Sequence, residues 1–172
     1  MDDQRYPIGP FTPQEVYTAV GRQACIHEIA VLPSAVRAAV AGLTRDQLQQ
    51  PYRDGGWSIA QVVNHLADSH VNAYVRFKLA ATLDNPTAVA YPEAVWAALA
   101  DAVSPDLDAS LSILENLHAR WVAFLESLPP DAFDRTYNHS VQGPVTLNRA
   151  LALYAWHGRH HVAHITGLRA RR

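Results

Sequence analysis

The sequence predicts an all-α fold, a four-helix bundle with short extra helices in its connections. Three observations predict it. Four segments of roughly 20 residues or more repeat apolar side chains every three or four positions. Prolines, glycines and strong N-cap residues stand between these segments, where helices stop and start. Strand signals are confined to one short stretch. Long helices joined by such connections pack as a bundle, and 172 residues suit a single domain spanning 1–172.

Residues 1–12 read as an extended arm, because Pro7, Gly9 and Pro10 resist regular structure. Pro13 suits a first helical turn and Glu15 suits the positive end of its dipole. The helical pattern then runs through Val16, Val20, Ile26, Ile29 and Ala30, and Pro33 is expected to kink or break it. A continuation through Val36 and Val40 ends near Gly42, and Thr44 to Gln50 makes one short helical turn. Pro51 to Trp57 is a loop in which Gly55 and Gly56 allow unusual backbone angles. Ser58 and Gln61 form a capping box for the second long helix, about Ile59 to Leu83. Its stripe is Val62, Leu66, Ala73 and Phe77, with His65 beside it.

A short helix is expected between Pro92 and Asp101. The third long helix follows Ser104-Pro105 and runs to Leu128, with a stripe of Leu111, Leu114, Leu117, Trp121, Phe124, Leu125 and Leu128. Pro129-Pro130 ends it. Residues 131–144 form a loop holding a small β segment at Thr136–His139. Thr146 caps the fourth helix, about Leu147 to Leu168, whose end Gly167 weakens.

Composition excludes several classes. A net charge of -2 leaves no basic footprint for nucleic acid, and the short basic end, Arg169-Ala-Arg-Arg172, reads as solvated. No uncharged apolar run approaches the roughly 18 residues of a membrane span. The start, Met1-Asp-Asp-Gln-Arg5, lacks the basic, then apolar, pattern of a signal peptide. Cys25 is the only cysteine, which excludes an intrachain disulfide, reads as a buried inert thiol and fits a reducing cytoplasm.

Histidine is the outlier. There are nine, and His157, His160, His161 and His164 fall within eight residues of the last helix. His157, His161 and His164 share one face, with His160 at its edge. That face also bears Leu147, Leu151, Tyr154, Ile165 and Leu168, so the imidazoles point into the bundle. Burying them without partners is costly, and one metal ion shared with His65 satisfies three. His157 with His161 and His160 with His164 have the same spacing, and periodicity does not separate the two pairs. His70 lies about 140° from His65 around its helix, so both are not expected to face inward. His27, His118 and His139 read as solvated or hydrogen-bonded rather than as ligands.

Three neutral imidazoles leave a divalent ion its full charge and an open position, the pattern of a catalytic rather than a structural site. Imidazole suits Zn, Ni, Cu or Fe alike. Gly158 stands where the His-Glu-x-x-His motif has its glutamate base. Asp68, three residues beyond His65, could orient that ring or act as a base, although a solvated carboxylate is the simpler reading. A coordinated thiol would lose its proton outright and need no separate base. Coordinated water could also be activated.

Two long stretches resemble the YfiT-like branch of the DinB superfamily. One is Tyr52-Arg-Asp-Gly-Gly-Trp-Ser-Ile-Ala-Gln-Val-Val-Asn-His65, continuing to Lys78, and the other runs from Leu151 through Trp156-His-Gly-Arg-His-His-Val-Ala-His164 to Ile165. The segment Leu117-His-Ala-Arg-Trp-Val122 is similar too. The resemblance implies a four-helix bundle with one metal held by His65, His157 and His161, which selects the first pair. Asn64 stands where some relatives have a further, non-ligating histidine. The resemblance also implies a metal-dependent hydrolase or a transferase of low-molecular-weight thiols such as bacillithiol, one zinc or nickel ion per chain, and a cytoplasmic homodimer. The leading expectation is a thiol S-transferase acting through a metal-bound thiolate on an electrophilic substrate. A hydrolase using metal-bound hydroxide is the alternative, and a non-catalytic metal-binding stress protein is a third.

Overall fold

The computed structural model describes residues 4–171, so the first three residues of the expected arm and the last arginine lie outside the described residues. Four long helices form the bundle: α1 (Ala19–Val40), α3 (Ile59–Thr82), α5 (Asp108–Ser127) and α6 (Leu147–Ala170). Two single-turn helices, α2 (Arg45–Leu48) and α4 (Glu93–Trp96), lie in the connections. Both α1 and α3 pack against α5 and α6, so α3 sits diagonally across from α1. No helix among the described residues is long and apolar enough to cross a membrane.

Local chemistry sets the starts of the two helices that matter most. Ser58 accepts from the Gln61 N–H while the Gln61 side chain accepts from the Ser58 N–H, closing the capping box of α3. Thr146 accepts from the Arg149 N–H and starts α6. The expected β segment is one strand of three. Strand β2 (Thr136–His139) pairs antiparallel with β3 (Gly143–Thr146) and parallel with β1 (Thr87–Ala88), and β3 runs directly into α6.

The first helix departs from expectation. It begins at Ala19 behind an N-cap at Thr18, not at Pro13, and it continues through Pro33 without ending. Val16, Val20 and Ala30 are exposed, and the core face is Ile26, Ile29, Leu32, Val36 and Ala39. Pro33 has no N–H for the Ile29 carbonyl. That carbonyl instead accepts from His118 Nδ1 at 2.7 Å, so a side chain on α5 replaces the missing helical bond.

The arm is not free either. Its described part crosses α6, where the Trp156 indole N–H donates to the Gly9 carbonyl and Phe11 packs on Trp156. The basic end is likewise anchored. Arg169 donates to the carbonyls of Ala38, Ala39 and Ala41 at the end of α1, and Arg171 donates to that of Tyr52. Cys25 is half-buried, and burial pushes its thiol pKa up.

The core falls into two apolar clusters. One gathers Ile26, Ile29, Phe77, Trp121, Leu125 and Leu151 towards the sheet. The other gathers Leu32, Val36, Val62, Leu66, Leu114 and Ile165 towards α2. On α3, α5 and α6 the residues between these clusters include His70, His118 and His157–His164. A layer of histidine therefore crosses the bundle between two dry halves.

Candidate metal centre

Seven residues after its cap, α3 places His65 towards α6. There, His157 and His161 stand one turn apart. The structure brings these three together: His157 Nε2 lies 3.3 Å from His65 Nε2 and 3.2 Å from His161 Nε2. One ring nitrogen from each of the three lies within 4.8 Å of the others. His65 and His161 are buried, and the Trp57 ring flanks His65 at 4.7 Å.

Burial alone pushes the His65 pKa down to about 4. Burial, and then the neighbouring imidazoles, hold His157 and His161 well below the ordinary histidine range. All three are neutral near pH 7 and present lone pairs. In a tetrahedral zinc site with bonds of about 2.0–2.1 Å, ligand nitrogens are about 3.3–3.4 Å apart. The His157–His65 and His157–His161 separations match that spacing, so the donor set fits a divalent ion.

The cluster opens into a cleft of about 370 Å³. Its rim comes from the arm (Arg5, Tyr6), the loop before α3 (Tyr52, Arg53, Trp57) and Glu93 of α4. Glycine is required in that loop. Gly55 has φ +63°, and a Cβ on Gly56 would lie 2.8 Å from Arg53 Cγ. The loop thus folds Tyr52 onto the His164 ring, with centroids 3.9 Å apart.

Other expectations change. His70 and His65 are both buried, because α3 packs against both α5 and α6 and buries more than one face. His118 is buried and hydrogen-bonded, His139 accepts from the Val141 and Gln142 N–H groups, and His27 is exposed. His160 and His164 are buried, and with His161 they form a second group of three within 4.8 Å. Asp68 does not line the cleft, and burial and Asp101 raise its carboxyl pKa. Asn64 holds the turn before α5, donating to the carbonyls of Asp101, Ala102 and Ser104 and accepting from Ser110.

Sequence reasoning missed Glu93, Arg53, Arg5 and the His70–His118 pair. Among the described residues Glu93 is the one carboxylate lining the cleft, and burial raises its pKa against the pull of Arg76. It also lines a second cavity of about 220 Å³ that shares His157. No local signal marks Glu93 or Arg5, since only the path of the chain brings them to the cleft. The Ser58 cap and the phase of α3 could have placed His70.

Comparison with known proteins agrees with this architecture. The model of the DinB superfamily matches residues 28–165. A Bacillus cereus protein named "Putative metal-dependent hydrolase" is 50% identical over 171 residues, covering 99% of this chain and 98% of its own. A Bacillus mycoides protein of the same kind is also 50% identical, with the same coverage. Among solved structures, YfiT from Bacillus subtilis, described as "a probable metal-dependent hydrolase with an unusual four-helix bundle topology", superposes with a TM-score of 0.95 at 42% identity, over 98% of this chain and 97% of that one. The four-helix bundle protein TT2238 shares the fold at a TM-score of 0.59 and 17% identity, over 87% of this chain and 98% of its own.

Proposed function

Because the chain belongs to the DinB superfamily, we propose that it is a metal-dependent enzyme that transfers a low-molecular-weight thiol to an electrophile. His65, His157 and His161 hold one zinc or nickel ion. That ion supplies uncompensated positive charge, which acidifies a coordinated thiol, or in the alternative reading a water. The single observation behind this reading is the convergence of three neutral imidazoles at the floor of an open cleft.

The rim suits an anionic thiol such as bacillithiol. Arg5 and Arg53 both line the cleft, and Arg53 Nε is buried without a partner among the described residues. A carboxylate of the cosubstrate would satisfy that donor. Tyr52 and Trp57 give the cleft apolar walls that limit water. In the transfer, sulfur forms a bond to the electrophilic carbon, the leaving group departs with its electron pair, and the thiol proton passes to solvent. The homodimer and the cytoplasmic setting belong to the same proposal.

One observation favours hydrolysis as the second reading. Glu93 brings a carboxylate of raised pKa to the cleft, where it could move a proton. The test is isothermal titration of zinc-loaded and chelator-treated protein with bacillithiol, in buffers of different ionisation enthalpy. Metal-dependent binding with release of one proton supports the transferase. No binding to either form refutes it, and ester or amide cleavage lost in Glu93→Gln then establishes the hydrolase. Zinc binding with neither activity leaves the non-catalytic metal-binding protein.

A further inference from the structure

We propose that two hydrogen-bonded histidine relays, each ended by a backbone carbonyl, lock His157 and His161 as Nδ1–H tautomers, so that both turn an Nε2 lone pair to the same point. A carbonyl oxygen only accepts, and a neutral imidazole has one donor and one acceptor nitrogen. Those two facts fix every proton along both chains.

The first relay starts at the Ile29 carbonyl, which Pro33 leaves without its helical donor. His118 Nδ1 lies 2.7 Å from that oxygen and must carry the hydrogen. His118 Nε2 is then an acceptor, and His70 Nδ1, 3.0 Å away, must donate to it. His70 Nε2 accepts in turn from His157 Nδ1 at 3.1 Å. His157 is left with a lone pair on Nε2, the atom that faces His65 and His161.

The second relay starts on the arm. His164 Nε2 donates to the Arg5 carbonyl at 3.2 Å, so its Nδ1 accepts. His161 Nδ1, 3.3 Å from it, must donate. His161 also ends with its lone pair on Nε2. Two independent carbonyls, on α1 and on the arm, thus dictate the same answer.

The two lone pairs then face each other across 3.2 Å with no proton to share. A cation between them, accepting both lone pairs, relieves that contact. The second histidine triad, His160, His161 and His164, is accounted for as well. A metal there that took His161 Nδ1 would have to displace the proton the relay places on that nitrogen. His118, His70 and His164 are positioning residues, acting on the centre through His157 and His161. Such outer partners fix ring orientation and raise ligand basicity.

The effect on metal affinity rests on the metal-dependent reading above, whereas the tautomers do not. The experiment is long-range ¹H–¹⁵N correlation NMR of chelator-treated, ¹⁵N-histidine-labelled protein at pH 7.5. The expected pattern is Nδ1–H on His70, His118, His157 and His161, and Nε2–H on His164. Nε2–H on His157 or His161 overturns the proposal. Zinc titration of two variants follows. His118→Gln keeps an acceptor for His70 and should bind zinc as wild type does. His118→Phe removes it and should bind roughly 10- to 100-fold more weakly, with His157 becoming a tautomer mixture. A folded His118→Phe with the wild-type spectrum and zinc affinity overturns the relay. If His118→Phe does not fold, the wild-type spectrum and His118→Gln still decide. Absence of zinc binding by wild type, with the expected tautomers, sinks the metal reading and leaves the relay standing.

Discussion

Acid should unfold the metal-free protein through its histidines. His65 titrates near 6.5 when unfolded and at about 4 when folded, because burial disfavours its cation. Between those values the unfolded chain binds a proton that the native state refuses, so stability falls as pH falls. Its contribution is intact above pH 6.5 and is lost progressively down to pH 4. The slope is about 1.4 kcal/mol per pH unit, so His65 alone costs about 2 kcal/mol at pH 5 and about 3 kcal/mol over the whole window. His70, His118, His157, His161 and His164 are pushed the same way by burial, and they steepen the loss. His139 and His160 are lowered by burial too, and Asp68 and Glu93, with raised pKa values, oppose the loss as two groups against eight. Urea denaturation of chelator-treated protein, followed by circular dichroism at pH 7.5 and pH 5, measures the difference. A loss of at least 2 kcal/mol with an unchanged m-value is expected, and His65→Gln should reduce the slope by about one proton. Equal stability at the two pH values would refute the claim that these rings are buried in neutral form.

Three further outcomes test the site and its supports. His157→Ala should leave the bundle folded by circular dichroism while zinc stoichiometry, measured by inductively coupled plasma mass spectrometry, falls from one per chain towards zero. Full occupancy in that variant would sink the ligand assignment. Ser58→Ala breaks the capping box of α3 and should cost about 1 kcal/mol in urea denaturation, leaving an α3 N–H unmatched; no change would mean that the cap contributes nothing. Trp121→Ala empties a fully buried ring that touches Phe77, His70, His118 and Tyr154, and should cost about 3–5 kcal/mol by the same measurement; a loss under 1 kcal/mol would mean that the core refills the space.

The bundle was legible wherever a residue acts on its own neighbours. Ser58 with Gln61 and Thr146 with Arg149 are local hydrogen bonds, so the starts of α3 and α6 could be read from spacing. Pro33 could not be read in that way. In isolation it breaks a helix, and what keeps α1 continuous is a donor from α5, distant in sequence. The same limit governed the site. Equal spacing of His157/His161 and His160/His164 left two pairs equivalent by periodicity, and spacing could not show that α3 sets His65 beside His157 and His161. His70 was discounted on the assumption of one inward face, whereas a helix packed against two others buries more. Glu93 and Arg5 reach the cleft through connections whose paths no periodicity encodes.

The histidine layer joins these threads. A row of imidazoles between two apolar clusters is tolerable only if each ring is neutral and hydrogen-bonded. Neutrality leaves each ring one free lone pair, and it is also what acid removes. The hydrogen bonds run from ring to ring until they meet carbonyls that can only accept, which leaves lone pairs, not protons, at the floor of the cleft. His118 therefore belongs to the same device as His157, although it sits on a helix that contributes nothing to the cleft's wall. Any change that alters the proton on one ring should be felt at the next, from Ile29 on α1 to the mouth of the cleft.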